Sequence, residues 1–222
     1  MPGRLSDAGI GEHMQAVLID DHELIRDSVG RILSEQLGFL APLEAGDLES
    51  GLTVLSEAGE VDLIMVDLHM PGSSGPESLA ALVEAFPEAR IIVMSASESK
   101  EDVLGCISVG VDGYIPKSLS VAEMVAAIQQ VLDGGMFVPR ALTRRGIEPT
   151  ARPRAKAPGL EHLTPRQTEV LDQLLLGLSS KEIARALDVA EGTVKIHLAA
   201  IYRALGVRTR AEAISRLMSP RL

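Results

Sequence analysis

Leu63-Ile64-Met65-Val66-Asp67-Leu68-His69-Met70-Pro71-Gly72-Ser73-Ser74-Gly75 is the stretch that decides the fold. Four apolar residues end on a carboxylate, and the chain then breaks at Pro and Gly. A short apolar run stopped this way reads as a buried strand that delivers an acid to a loop. Three other apolar runs end in the same manner. Ala16-Val17-Leu18-Ile19 runs into Asp20-Asp21, Arg90-Ile91-Ile92-Val93-Met94 runs into Ser95, and Gly113-Tyr114-Ile115 precedes Lys117. If these strands are parallel neighbours, their polar ends converge in one crevice, where ligands of open α/β sheets bind.

Working outward, helical patterns alternate with the strands. They cover 23–36, 48–58, 75–85, 100–109 and 120–133, and a weaker strand falls at 39–45. Five strands alternating with five helices predict a parallel sheet covered on both faces. The pattern changes after residue 139. Pro139, Pro149, Pro153 and Pro158, with six bases against the single acid Glu148, mark 139–160 as an extended linker. Residues 161–222 carry no strand pattern and predict four helices. Thr164-Pro165-Arg166-Gln167 joins an N-cap Thr, Pro at the first helical position and Gln at the capping-box position. A second helix starts at Ser179-Ser180-Lys181-Glu182 and ends near Leu187. A third spans 191–205 and stops at Gly206, and a fourth covers 209–218.

Bulk properties set limits. Hydrophobic residues make up 46% of the 222, enough for a core, but only 2% are aromatic, so that core is aliphatic. The lone Cys106 allows no internal disulfide, which points to a reducing, cytoplasmic setting. No apolar run is long enough to span a bilayer as a helix. Residues 1–13 lack an apolar stretch and read as a disordered lead or tag remnant, with Met14 a candidate start. The net charge of −10 conceals a division. Residues 14–138 hold 21 acids and 5 bases, and residues 139–222 hold 15 bases and 8 acids. The first part should repel nucleic acid and the second tolerate it. The expected organisation is thus a lead over 1–13, an α/β domain over 14–138, the linker, and a helical domain over 161–222.

The strand ends suggest chemistry. Asp20, Asp21 and Asp67 repel one another and call for a cation. An all-oxygen set suits Mg²⁺, which keeps waters and accepts a phosphate oxygen. Lys117 adds a fixed positive charge and Ser95 a hydroxyl, together a phosphoryl-binding set in which a carboxylate can be the nucleophile. Each residue alone reads as a helix cap or surface group; their common placement at strand ends argues against that.

The pattern Asp20-Asp21, Asp67 through Gly75, Ser95-Ala96 and Gly113-Tyr114-Ile115-Pro116-Lys117 resembles the receiver domain of two-component response regulators over roughly 14–135. The resemblance implies a flavodoxin-like fold. It implies phosphoryl transfer from a sensor histidine kinase to Asp67, with Mg²⁺ held by Asp20, Asp21, Asp67 and the His69 backbone carbonyl. Lys117 would pair with the phosphoryl oxygens, Ser95 would move to bond the phosphate, and Tyr114 would turn inward with it.

In the helical domain, two helices joined around Asp188-Val189-Ala190 make a helix-turn-helix pattern. On the third helix Val194, Leu198, Ile201 and Leu205 share one face and predict core. Gly192, Ile196, Ala199 and Arg203 lie opposite, edged by Lys195 and Ala200, a surface that fits a DNA groove. A helical bundle that binds protein would show the same periodicity. The string Leu163 to Gln167, Glu169 to Leu171, Gly177 to Ser179, Lys181 to Ala184, Thr193 to Lys195, His197, Ile201, Leu205, Val207 and Arg210-Ala211 resembles the LuxR-type DNA-binding domain. Both halves together are similar to the NarL/FixJ class. That resemblance implies DNA contacts from Lys181, Thr193 and Lys195, to which the groove-fitting face adds Ile196, Ala199 and Arg203; it also implies a dimer on promoter DNA, contact with RNA polymerase, and a dimer surface on the last helix. Two departures stand out: Ala190 occupies an N-cap site usually held by Ser or Thr, and Ala199 stands where some relatives carry a base.

Two other classes compete. One is a phosphorylated signalling protein whose helical domain binds protein. The other is a phosphatase with an Asp nucleophile, which would want an acid two residues after Asp67, where His69 stands. The resemblance implies no enzyme beyond self-phosphorylation and self-dephosphorylation at Asp67.

Overall fold

The structure is a computed structural model that describes residues 14–70, 73, 75–139, 163–207 and 209–218. The lead 1–13, the linker from 140 to 162 and Pro71, Gly72 and Ser74 lie outside the described residues. The chain begins β1 (Ala16–Ile19), α1 (Glu23–Gln36), β2 (Leu43–Ala45), α2 (Leu48–Glu57) and β3 (Leu63–Asp67). It continues α3 (Pro76–Ala85), β4 (Arg90–Ser95), α4 (Lys100–Ser108), β5 (Gly113–Pro116) and α5 (Val121–Leu132). The second part is α6 (Pro165–Leu175), α7 (Ser180–Leu187), α8 (Glu191–Leu205) and α9 (Arg210–Met218).

All four strand pairings are parallel, in the order β2-β1-β3-β4-β5. Successive strand residues point to opposite faces, and this alternation divides the core. Val17, Ile19, Ile64, Val66, Ile91, Val93 and Tyr114 meet α2, α3 and α4 on one side. Ala16, Leu18, Leu63, Met65, Ile92, Met94 and Ile115 meet α1 and α5 on the other. Both faces are apolar, so the strands read as continuous hydrophobic runs.

β2 is shorter than the 39–45 that the sequence suggests. Phe39 is buried with the α1 face, and its N–H donates to the Leu33 carbonyl at 3.0 Å. It closes α1 instead of pairing with β1. The other boundaries differ from the sequence expectation by one or two residues, as helix ends commonly do. Both outer strands are modest. β2 has three residues, and β5 is met by the chain after α5, where Tyr114 N–H donates to Phe137 O at 2.8 Å and Phe137 N–H to Asp112 O at 3.3 Å.

The four C-terminal helices enclose Val170, Leu174, Ile183, Val194, Leu198, Ile201, Leu205 and Ala213. Capping boxes start α6 at Thr164 and α7 at Ser179. Asp188 takes the left-handed conformation (φ 53°) at the end of α7, and Gly206 does so at the end of α8. α8 starts at Ala190 with no side-chain cap, as its sequence foretells.

Candidate functional site: an acidic crevice and a covered helix

Parallel pairing brings the strand-end groups to one edge of the sheet. Asp20 is fully buried and Asp67 nearly so, at 3% exposure, while Asp21 is exposed. Lys117 bridges the two buried acids, its Nζ 2.7 Å from Asp20 Oδ2 and 3.0 Å from Asp67 Oδ2. Burial pulls the Lys117 pKa down, but its bonds to Asp20 and Asp67 outweigh that and hold it above the ordinary lysine value. The Asp67 Oδ1 atom accepts the His69 N–H at 3.2 Å, which ties the turn after β3 to the acid.

Ser95 is fully buried at the end of β4, and its Oγ accepts the Ser97 N–H at 3.0 Å. Tyr114 lies inward, fully buried, and its O–H donates to the Ser97 carbonyl at 2.6 Å. Burial raises its pKa. The inward turn that the resemblance attaches to phosphorylation is already made in this structure. Ser97 also donates to Asp102 at 2.6 Å, so one short loop connects β4, β5 and α4.

One member of the crevice escapes the sequence reading. His22 brings Nδ1 to 2.7 Å from Asp21 Oδ1 and 3.1 Å from Asp20 Oδ1. One donor atom each from Asp20, Asp21, His22 and Asp67 lie within 4.8 Å of one another. Its position directly after the paired acids was the available signal.

The second assembly joins the two parts of the chain. α8 packs across α2 and α3, and Ile196, Ala199 and Ala200 are buried in the same core as Leu52, Leu79 and Phe86. Lys195 Nζ reaches Glu49 on α2 at 3.1 Å. Arg203, with little exposure, is paired to the buried Glu88 and lies over the Phe86 ring, 4.7 Å from its centroid. Thr164 donates to Glu84 on α3 at 2.9 Å. Of the residues expected to touch DNA, Thr193, Ile196 and Ala199 are buried here, Lys195 and Arg203 are held by carboxylates of the α/β domain, and Lys181 is exposed. On the α3 flank of α8 a cleft of about 440 Å³ is lined by Glu84, Arg166, Thr193 and His197, among others. His197 is buried there, and burial lowers its pKa, with Glu84 opposing and Arg166 adding to the effect. The sequence does not single out Glu49, Glu84 or Glu88, because no local pattern marks an acid as the partner of a side chain 80 or more residues away.

Among the described residues no helix is long and apolar enough to cross a membrane. Residues 16–129 match the response regulator receiver domain, and residues 161–217 match the luxR family of bacterial regulatory proteins. The chain is 35% identical over 207 residues to the glycerol metabolism activator of Pseudomonas putida, covering 90% of this chain and 94% of that one. It is 35% identical over 198 residues to the nitrate/nitrite response regulator protein NarL of Escherichia coli, covering 89% and 91%. A crystal structure of a LuxR family DNA-binding response regulator from Silicibacter pomeroyi is similar, with TM-score 0.51 and 26% identity, over 58% of this chain and 98% of that one.

Proposed function

We propose, from the premise that this chain belongs to the NarL/FixJ class of response regulators, a receiver domain joined to a LuxR-type DNA-binding domain, that phosphoryl transfer to Asp67 controls when α8 is available to promoter DNA. The donor is a phosphohistidine of a cognate sensor kinase. An Asp67 oxygen attacks phosphorus, the bond from phosphorus to the histidine nitrogen breaks, and that nitrogen leaves with the electron pair. Lys117, already bridging Asp20 and Asp67, turns to the new phosphoryl oxygens. The buried Ser95 hydroxyl is the next donor at the strand ends, and Tyr114 already lies inward.

The donor set of the crevice fits a hard divalent cation. Three carboxylates converge with a single ammonium against them, a balance that repels itself unless positive charge is added. Mg²⁺ is the natural choice, held by Asp20, Asp21, Asp67 and the His69 carbonyl. When bound, it offsets the charge of the incoming phosphoryl oxygens.

The observation that carries the proposal is the burial of the α8 face against α2 and α3. Ile196 and Ala199 cannot serve a receiver core and a DNA groove at once. The form seen here is therefore the closed one, and activation must separate α8 from the receiver. Lys181, Thr193, Lys195, Ile196, Ala199 and Arg203 then face DNA, the polar ones to phosphates or base edges and the apolar ones to thymine methyls. Two copies bind a two-fold site, paired through α9, and RNA polymerase is the downstream partner. A cytoplasmic setting accords with such partners.

The test uses the full chain and a library of random duplexes, with and without acetyl phosphate. The wild type should acquire sequence-selective binding on phosphorylation, and Asp67→Asn should not respond. An equal response from both proteins would remove Asp67 from the mechanism. Phosphorylation without any selective duplex binding would favour a protein partner for the helical domain instead.

A further inference from the structure

We propose that His22 is a fourth side-chain donor of the acidic crevice, and that it adapts the site to a nitrogen-preferring transition-metal dication such as Co²⁺, Ni²⁺ or Zn²⁺ as well as to Mg²⁺. This rests on the reading that the crevice holds a cation. The His22 side chain does not play its expected local role. His22 is the N-cap of α1, with extended φ −92° and ψ 103°, where a polar side chain ordinarily accepts an N–H of the first turn. It makes no such bond. Its ring is turned instead to the acids, with Nδ1 2.7 Å from Asp21 Oδ1 and 3.1 Å from Asp20 Oδ1.

Those spacings suit a shared ion. Ligands at right angles around a small dication, with bonds of roughly 2.0–2.1 Å, stand about 2.9 Å apart. Lys117 occupies the Oδ2 atoms of Asp20 and Asp67. The Oδ1 atoms of Asp20 and Asp21 and the His22 Nδ1 atom are donors that Lys117 does not engage. The His22 backbone is fixed, since its N–H donates to Asp20 Oδ1 at 2.9 Å. Its side chain is 63% exposed, so the ring adjusts without disturbing the core. Nδ1 lies at donor distance from two acceptor-only carboxylates, and a bound cation would take the place of its proton.

An oxygen-only site has little to distinguish late first-row ions beyond their general order of affinity. An imidazole nitrogen strengthens binding of Co²⁺, Ni²⁺ and Zn²⁺ and does little for Mg²⁺, which demands oxygen. The rival role for His22 is to donate Nδ1–H to the two carboxylates and order them. That role would aid every cation alike, so metal selectivity separates the two.

Titration calorimetry of the full chain with Co²⁺ and with Mg²⁺ provides the test, using wild type, His22→Ala and Asp21→Asn. The visible spectrum of bound Co²⁺ serves as a second readout of nitrogen ligation. His22→Ala should weaken Co²⁺ by roughly tenfold or more and shift its spectrum, with Mg²⁺ affinity unchanged. Asp21→Asn should weaken both ions and reports the background from other sites. Equal loss of both ions in His22→Ala, or loss of neither, overturns the proposal. If Asp21→Asn leaves both ions unaffected, the crevice is not a cation site, and the reading of the function fails at that step along with this inference.

Discussion

The buried pair between Glu88 and Arg203 makes the closed form vulnerable to a single substitution. Glu88 lies just before β4, outside the acidic crevice, and is 6% exposed; Arg203 lies in the last turn of α8 against Phe86. Glu88→Gln keeps the side-chain shape but removes the counter-charge of a desolvated guanidinium. Breaking a buried pair by removing one partner costs about 3 kcal/mol. Here the cost falls on the closed form alone, because separation of α8 returns Arg203 to water. About 1.4 kcal/mol is a factor of ten, so the balance moves toward the open form by roughly 100-fold. Apparent affinity scales with the fraction of competent molecules. Anisotropy of a labelled target duplex should therefore show unphosphorylated Glu88→Gln binding up to about 100-fold tighter than unphosphorylated wild type. It should not exceed phosphorylated wild type. The reasoning is refuted if the variant binds DNA no better than wild type while retaining its fold and its response to phosphodonor.

Three further outcomes are expected. Lys117→Met should slow Asp67 phosphorylation by acetyl phosphate on the order of 100-fold, as loss of a charge-stabilising donor does; an unaltered rate in a phosphate-affinity gel would contradict the bridge. Ala190→Ser supplies the cap that α8 lacks, where the backbone already has φ −67° and ψ 147°. It should stabilise the helical domain by about 1 kcal/mol and raise its melting temperature by roughly 4–8 °C; a lower temperature would count against the cap geometry. His197 provides a pH signature. Burial holds its pKa below 6.5 in the closed form, so opened or unfolded protein takes up the proton first. Its contribution is complete above about pH 6.5 and is lost as pH falls through the depressed value. Melting curves should decline over that window, and His197→Gln should flatten the decline; an unchanged slope would exclude His197 as the cause.

Much of the architecture was legible because it rests on local signals. β3 and Asp67 were visible as an apolar run stopped by an acid, and α8 ends where Gly206 permits a left-handed residue. The core positions Val194, Leu198, Ile201 and Leu205 followed from helical spacing. The sequence over-extends β2 because Phe39 is equally apolar as a strand residue or as a plug at the end of α1. The sequence alone does not mark His22, because a single imidazole at a helix start has an ordinary use as a cap. The opposite face of α8 was the deeper ambiguity. Ile196, Ala199, Ala200 and Arg203 are small, apolar and edged with charge, which suits a DNA groove or the surface of α2 and α3 equally. Periodicity tells which face is apolar, and says nothing of what covers it.

The treatment of the sheet edges bears on how this protein behaves when crowded. An outer strand with open amides is a template for a strand from another chain. Phe137 spends its own N–H and carbonyl on Asp112 and Tyr114, and the opposite edge ends in a strand of three residues. Neither side offers a long template. Neither edge gives a second copy a strand to extend, which leaves helical faces as the surfaces through which copies can meet.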